Sequence, residues 1–209
     1  SQVYQDRCRS IVQAIVERYH NHPAVVMWHI GNEYGQVDYS DEAAAAFRIW
    51  LRKRYGTIDE LNAAWGTAFW SQRYDHFSEI LPPRSAPYII NPTQNLDFHR
   101  FSSDQMLECY RQQYDVIRQF DPVRPITTNF MGFHWSTDYQ QWAEHMDVVS
   151  DDYYNDPTDD SHRELATLTH SLIRSLGNGQ PWVLMEQAVS AVNWRAHNVP
   201  KTPASSRID

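Results

Sequence analysis

Four short segments rich in β-branched and apolar residues are spaced along this chain of 209 residues. They cover residues 24–28, 125–128, 147–150 and 181–185. A short, continuous run of this kind is typical of a strand that is buried on both faces, as the strands of parallel sheets are. Because parallel strands must be joined by crossover connections, the segments between them are expected to be helical.

The segments around the predicted strands do carry apolar residues at helical spacing. The first has apolar residues at steps of three and four from Cys8 onward, and its pattern stops before Pro23. Further helices are predicted over residues 43–55, 96–120, 137–145 and 165–176. Thr57 and Glu60 have the T-x-x-E spacing of a capping box, which predicts one more helix start. Residues 65–92 combine prolines with aromatic residues and are interpreted as a long excursion.

The alternation of strands and helices predicts an α/β fold. Both a closed (β/α)8 TIM barrel and an open doubly wound sheet have this order of elements. No glycine-rich phosphate loop follows any predicted strand, which favours the barrel. A complete barrel takes roughly 250 residues and eight strands. We therefore expect residues 1–209 to form one incomplete barrel domain that lacks strands at both ends.

The charge and composition exclude several classes of partner. The chain has 18 Lys and Arg against 26 Asp and Glu, a net charge of −8, so nucleic acid is not expected to be a partner. No apolar run approaches the roughly 18 residues that a membrane span requires, so no membrane is expected either. The first residues lack the pattern of a secretory signal, and the cytoplasm is the predicted location. The two cysteines, Cys8 and Cys109, are too few for a disulfide framework.

Two glutamates occupy the places where a barrel of this type has its active site. Active sites lie at the carboxyl ends of the strands. Glu33 follows the first predicted strand, and Glu186 directly follows the last one. Glutamate is seldom buried without a partner or a function. From position alone, two catalytic carboxylates and two salt-bridged structural glutamates are equally good interpretations.

Three stretches of sequence carry more specific motifs. They read HPAVVMWHIGNEYG, AWGTAFWSQRY and LMEQAVSAVNWRAHNVPKTP. Together they resemble glycoside hydrolase family 42, the β-galactosidases of a large retaining clan with (β/α)8 barrels. The Asn-Glu pair is common to the whole clan, whereas the Glu-Tyr-Gly, Trp-Gly-Thr-x-Phe-Trp-Ser and Met-Glu-Gln motifs are more specific. The resemblance covers essentially the whole chain.

The resemblance implies separate roles for the two glutamates. Glu33 matches the acid/base at the end of the family's fourth strand, and Glu186 matches the nucleophile at the end of the seventh. The four predicted strands then become strands 4 to 7, with strands 1 to 3 and 8 missing. Retaining glycosidases hold their two carboxyl groups about 5–5.5 Å apart. That separation is the geometric test of the assignment.

The resemblance also implies a set of substrate-binding residues. Asn32 matches an asparagine that binds the sugar hydroxyl next to the anomeric carbon. Trp70 and Trp194 match tryptophans that cover the apolar face of galactose. Tyr154 matches a tyrosine near the nucleophile, although the register could shift to Tyr153. Asp152, in the same segment, is expected to be either a ligand or the structural partner of a barrel arginine.

The implied function is that of a retaining β-galactosidase, which hydrolyses terminal non-reducing β-D-galactosides by double displacement. One alternative keeps the mechanism and changes the substrate to arabinosides or fucosides. Another is an inactive, truncated carbohydrate-binding fragment. No metal is expected, because the cysteine cluster that some family members carry after the Glu-Tyr-Gly motif is missing here, and no other cofactor is expected. The resemblance further implies a homotrimer in the full-length protein.

Overall fold

Helices and short parallel strands alternate along the chain in a computed structural model, which describes residues 1–86, 89–203 and 206. The helices are α1 (Gln2–Tyr19), α2 (Asp41–Tyr55), α3 (Ile58–Trp65), α4 (Pro92–Phe120), α5 (Tyr139–Ala143) and α6 (His162–Leu176). The strands are β1 (Trp28–His29), β2 (Ile126–Thr127), β3 (Asn129–Phe130), β4 (Ser150–Asp152) and β5 (Val183–Glu186). Two turns of 3-10 helix, Phe69–Ser71 and Phe77–Glu79, lie in the predicted excursion.

Local side chains define where several helices begin. The Thr57 side chain accepts from the Glu60 N–H and the Glu60 carboxylate accepts from the Thr57 N–H, which confirms the predicted capping box of α3. At α4, the Asn91 side chain accepts from two backbone N–H groups of the first turn. Pro92 follows as the first helical residue, where its missing N–H costs no hydrogen bond. The 29-residue α4 therefore starts four residues earlier than its apolar pattern predicts.

All strand pairs in the described residues are parallel. β1 pairs with β2, joining Trp28 to Ile126, while β3, β4 and β5 form a second sheet in that order. Only Thr128 separates β2 from β3 along the chain. The two sheets therefore follow one another with almost no interruption. Parallel neighbours with helical crossovers are the arrangement that the sequence predicted.

Two strands differ from their predicted position. The first was expected over residues 24–28 and buried on both faces, but it spans Trp28–His29 and Val26 is 77% exposed. β1 pairs only with β2 among the residues that the structure describes, so no second strand covers this part of the chain. The third was expected over residues 147–150 and instead forms over Ser150–Asp152. Its residues are polar, so the apolar pattern of the sequence ends where this strand begins.

Two apolar clusters hold the elements together. The first lies between the strands and helices α1, α4, α5 and α6; it contains Val16, Ile30, Leu107, Tyr110, Ile117, Ile126, Phe130, Trp142, Val149 and Ile173. The second joins α2, α3 and the start of α4; it contains Phe47, Leu51, Leu61, Trp65, Phe77, Ile80, Phe98 and Phe101. Trp65, a member of the second cluster, is 4% exposed. After β1, Tyr34 packs on the first cluster and Val37 on the second, so both anchor the loop that carries Glu33.

None of the helices within residues 1–86, 89–203 and 206 combines the length and the apolar character that crossing a membrane requires.

Candidate active site

Glu33 and Glu186 meet at one edge of the strands, together with Asp152. Glu33 lies in the loop after β1, Asp152 ends β4, and Glu186 ends β5. Each offers one carboxylate oxygen, and these three atoms all lie within 4.8 Å of one another. The carboxyl ends of neighbouring parallel strands face the same way, which is why residues so distant in sequence converge here.

The Asn129 side chain lies in the middle of this carboxylate cluster. It begins β3 and is 2% exposed. Its Nδ2 donates to Asp152 Oδ2 at 2.5 Å and to Asn32 Oδ1 at 3.1 Å, and it lies 3.4 Å from Glu186 Oε1. Its Oδ1 accepts the backbone N–H of Glu33 at 3.0 Å. One amide therefore connects the loop after β1 with the ends of β4 and β5.

The backbone conformation around Glu33 requires glycine at positions 31 and 35. Glu33 has a φ of 48°, a left-handed conformation that is rare for a residue with a side chain and that clusters at functional sites. Gly31 also has a positive φ, and a Cβ there would lie 2.7 Å from the Tyr34 ring. A Cβ on Gly35 would lie 2.8 Å from both Met131 and His134. The G-N-E-Y-G motif is therefore a backbone requirement of this loop.

Tyr154 and Trp194 form the side of the site next to Glu186. The Tyr154 hydroxyl donates to Glu186 Oε2. The Trp194 ring meets the Tyr154 ring edge-to-face, with centroids 4.9 Å apart, and remains 62% exposed. Arg195 donates to the backbone carbonyl of Tyr154 and so fixes the segment from the other side. An exposed aromatic ring at this place can cover the C–H face of a sugar.

The register of the Tyr153-Tyr154 pair follows from the same contacts. The Tyr153 ring packs edge-to-face on His170, with centroids 5.4 Å apart, and its backbone N–H donates to the Glu186 carbonyl. Of the two tyrosine hydroxyls, it is that of Tyr154 that donates to the Glu186 carboxylate.

The surroundings of Asp152 and Tyr154 favour their protonated forms. Burial raises the pKa of Asp152 to about 8, helped by the negative charges of Glu186 and Glu33 and opposed by the Asn129 hydrogen bond. Burial and the hydrogen bond to Glu186 raise the pKa of the Tyr154 phenol. At neutral pH the phenol therefore acts as a donor towards the carboxylate.

The predicted substrate-binding residues are divided between two places. Asn32, Tyr154 and Trp194 adjoin the carboxylate cluster. Trp70 is 62% exposed and stacks on Phe69 in the excursion, and none of the ring contacts or hydrogen bonds in the described part of the chain joins it to the cluster. Its role in sugar binding stays a prediction.

Two residues of the cluster were missed or only half recognised from the sequence. Asn129 was not singled out, although it follows a predicted strand directly, as Glu186 does. Asp152 was expected either to be a ligand or to pair with an arginine. Its partner is Asn129, and none of the ion pairs within residues 1–86, 89–203 and 206 includes it.

The three carboxylates are also the kind of oxygen ligands that hard cations such as Mg²⁺ and Ca²⁺ use. Some of their lone pairs already accept hydrogen bonds, from the Asn129 amide and the Tyr154 hydroxyl. The arrangement can equally perform acid/base and nucleophilic chemistry, for which adjacent carboxyl groups with different surroundings are suited.

A cavity of about 530 Å³ lies behind the Glu33 loop, between that loop and helices α1, α2 and α4. Asn32 and Glu33 line it, together with Tyr4, Phe101 and Met106, whereas Asp152 and Glu186 do not. The cavity is therefore beside the carboxylate cluster and not between its members.

Comparison with known proteins identifies the family. The glycoside hydrolase 42 family model, described as β-galactosidase, matches residues 1–209. The chain is 48% identical over 203 residues to β-galactosidase bgaB of Geobacillus kaustophilus, covering 96% of this chain and 30% of that protein. It is 43% identical over 211 residues to β-galactosidase LacZ of Heyndrickxia coagulans, covering 100% of this chain and 31% of that protein. The chain thus spans about a third of the length of these relatives.

Solved structures give the same result. The β-galactosidase from Bacillus circulans sp. alkalophilus superimposes with a TM-score of 0.92 at 38% identity, over 99% of this chain and 31% of that one. The β-galactosidase from Rahnella sp. R3 superimposes with a TM-score of 0.92 at 36% identity, over 97% of this chain and 30% of that one. The motifs, the fold and these matches agree, and the chain belongs to glycoside hydrolase family 42, the β-galactosidase family.

Proposed function

We propose that this chain carries the catalytic carboxylates of a retaining β-galactosidase. The observation that carries the proposal is the proximity of Glu33 and Glu186, whose nearest oxygens lie within 4.8 Å. Retaining glycosidases need carboxyl groups about 5–5.5 Å apart, whereas inverting enzymes leave about 6.5–9.5 Å for a water molecule. The short separation supports the retaining mechanism. The numbering of the strands present as 4 to 7 of the barrel remains what the resemblance implies.

In this mechanism Glu186 attacks the anomeric carbon while Glu33 gives its proton to the departing glycosidic oxygen. The new bond is an ester between Glu186 and the sugar. Water then attacks the anomeric carbon, gives a proton to Glu33 and releases Glu186. Because Tyr154 occupies Oε2 of Glu186, Oε1 is the oxygen left for the attack.

The substrate assignment rests on the side chains around the carboxylates. The Asn129 amide donates to Asn32 Oδ1, which leaves the Asn32 Nδ2 to donate to a sugar hydroxyl. Trp194 offers an exposed ring beside Glu186, and Trp70 offers a second one on the excursion. The names of the relatives favour galactosides over arabinosides or fucosides. The homotrimer implied by the resemblance and the cytoplasmic location predicted from the first residues remain predictions for the whole protein.

The test uses the 209-residue chain and a chimera in which it replaces the corresponding residues of the Geobacillus kaustophilus relative. We expect the chimera to hydrolyse nitrophenyl β-D-galactoside and to release the β-anomer first, as NMR would record. Glu186→Ala should lower kcat roughly 10³-fold or more. The matched control is Gln187→Ala, which changes the adjacent exposed residue.

Two outcomes separate the roles. Azide should rescue Glu186→Ala by forming an α-galactosyl azide, because a small anion can occupy the place of the lost nucleophile. If the chimera is active and the 209-residue chain is not, the inactive-fragment alternative describes the chain alone. A chimera that releases the α-anomer, or cleaves no β-glycoside although it folds, contradicts the proposal.

A further inference from the structure

Asp152 has one carboxyl oxygen that the mechanism above leaves unexplained. The residue is 5% exposed, and its Oδ2 accepts the hydrogen bond from Asn129. Its Oδ1 is buried, and no donor among the described residues reaches it. A buried charged oxygen without a donor is costly, whereas a protonated oxygen in the same place can itself donate.

Besides the Asn129 amide, the groups that face Asp152 are two carboxyl groups and two tyrosine phenols. Glu33 approaches from the loop after β1 and Glu186 from β5, with their carboxylate oxygens within 4.8 Å. The Tyr154 phenol approaches from the same segment, and Tyr139 of α5 is close enough to interact with the charge of Asp152. Three carboxyl groups this close cannot all be ionised, because like charges disfavour the ionised form. At least one proton therefore resides in the cluster.

We propose that Asp152 is a positioning residue that keeps a proton on Oδ1 and donates it in a hydrogen bond to the Glu33 carboxyl group. The inference rests on the proposed function, in which Glu33 is the acid/base. The proximity of the two carboxyl groups, whose oxygens lie within 4.8 Å of each other, supports the assignment. The pKa of Asp152 also supports it, because burial and the charges of Glu186 and Glu33 raise this pKa to about 8.

The proton of Asp152 is separate from the one that Glu33 transfers. When Glu33 protonates the glycosidic oxygen, the electron pair of the broken C–O bond goes to that oxygen, and Glu33 becomes a carboxylate. Asp152 keeps its own proton, and its hydrogen bond strengthens because the acceptor is now charged. When water returns a proton to Glu33, Asp152 is again unchanged. Asp152 thereby stabilises each state in which Glu33 is ionised without touching the substrate.

A kinetic comparison of two substitutions tests this role in the chimera. Asparagine can still accept from Asn129 and donate towards Glu33, whereas alanine can do neither. Asp152→Ala should lower kcat/KM about 10- to 100-fold, the worth of one hydrogen bond to a charged group. Asp152→Asn should recover most of that loss and move the alkaline limb of the pH profile to higher pH. If Asp152→Asn is as inactive as Asp152→Ala, the ionised form is the working one and the inference is wrong.

A second measurement needs no activity. An aspartate has a pKa of about 3.9 in the unfolded chain, so a folded pKa of about 8 means that the folded state binds more protons between those values. The free energy of unfolding must then fall as pH rises through this window. Asp152→Asn should abolish this part of the fall, as urea denaturation of the 209-residue chain and the chimera would record.

Asp151→Asn is the matched control. Asp151 is buried on the other side of β4, where it accepts from the Gly132 N–H, and burial raises its pKa to about 6. Its substitution should change the pH dependence below pH 6 and leave it unchanged between pH 6 and 8. Parallel curves for wild type and Asp152→Asn in that upper interval would refute the inference. If the chimera is inactive but the pH dependence of its stability still differs between wild type and Asp152→Asn, the proposed function is wrong. The conclusion that Asp152 carries a proton would then still hold.

Discussion

The two carboxylate oxygens of Glu186 have different surroundings. Oε2 accepts the hydrogen bond from Tyr154, whereas Oε1 lies 3.4 Å from the Asn129 amide. Because burial and the Glu186 carboxylate raise the pKa of Tyr154, the phenol keeps its proton at neutral pH. The hydrogen bond fixes the orientation of the carboxylate, and in the proposed mechanism it leaves Oε1 for the attack on the sugar.

Tyr154→Phe removes this hydrogen bond and keeps the ring that packs on Trp194. We expect the kcat/KM of the chimera for nitrophenyl β-galactoside to fall about 10- to 100-fold, since a hydrogen bond to a charged group is worth about 1.5–3 kcal/mol. Tyr153→Phe is the control, because the contacts of Tyr153 with His170 and the Glu186 carbonyl need only its ring and backbone. Equal losses in both variants would show that the Tyr154 hydroxyl has no special role.

At the scale of elements, Asp121 joins the end of α4 to the strands. Its side chain accepts from Trp28 Nε1 at 2.8 Å and forms an ion pair with Arg124 at 2.8 Å. Arg124 in turn donates to the backbone carbonyls of His20 and Val25. Burial alone would raise the pKa of Asp121, but its hydrogen bonds from Trp28 and Arg124 lower it overall. Asp121 therefore ties α4, the end of α1 and the start of β1 together in its ionised form.

Asp121→Ala should lower the free energy of unfolding at pH 7 by on the order of 3 kcal/mol, because it leaves a half-buried arginine without its partner. The pKa is lower in the folded chain than in the unfolded one. The stabilisation is therefore present above about pH 3.9 and is lost as pH falls towards the lowered value. Urea denaturation at pH 7 and pH 3 would measure both effects.

The control for this substitution is Asp115→Ala, which changes an exposed aspartate of the same helix. It should change stability by less than about 0.5 kcal/mol at either pH. A loss that is equal for the two variants at pH 7 would contradict a structural role for the Asp121 contacts.

How well each element was predicted depends on what its residues contact. Helices such as α4 show their apolar face directly, because the buried side of an amphipathic helix follows its 3.6-residue period, and Leu107, Tyr110 and Ile117 are all buried. The predicted position of β4 was wrong because the strand consists of a serine and two aspartates. These polar side chains are buried with hydrogen-bond partners, as Ser150 is with Thr127, and they show no apolar pattern. Burial of polar side chains depends on partners from other strands, which a local pattern cannot reveal.

The site shows the same division. Glu33 and Glu186 could be predicted because each follows an apolar strand, and the surrounding motifs gave them different roles that remain to be tested. Asn129 could not be assigned a role, because its function as a connector exists only when four strands are in place. Trp70 was selected by its motif, and among the described residues its ring contact is with Phe69, so its role stays a prediction.

At the scale of the whole molecule, one face of α1 stands out. Val16 is fully buried against the first apolar cluster, but Tyr4, Ile11, Ile15 and Tyr19 of the same helix are 41–61% exposed. Val26, shortly after this helix, is also 77% exposed. Contiguous exposed apolar side chains mark surfaces that another part of a protein, or another molecule, covers.

We expect the 209-residue chain to self-associate through this face. Replacing Ile11 and Ile15 together by glutamine should increase the monomer fraction in sedimentation velocity at the same concentration. The control is Ile49→Gln, which removes an isoleucine that is 72% exposed on α2. The same association in all three proteins would mean that contacts elsewhere hold the copies together.

The carboxylate cluster combines residues that are far apart in sequence. Glu33 follows β1, the first strand, Glu186 ends β5, the last strand, and Asn129 lies between them. A ribosome adds about 5–20 residues per second, so Glu33 is made on the order of ten seconds before Glu186. In the proposed mechanism, a nascent chain then holds the acid/base but not yet the nucleophile. The carboxylate cluster itself is complete only when the last strand pairs with β4.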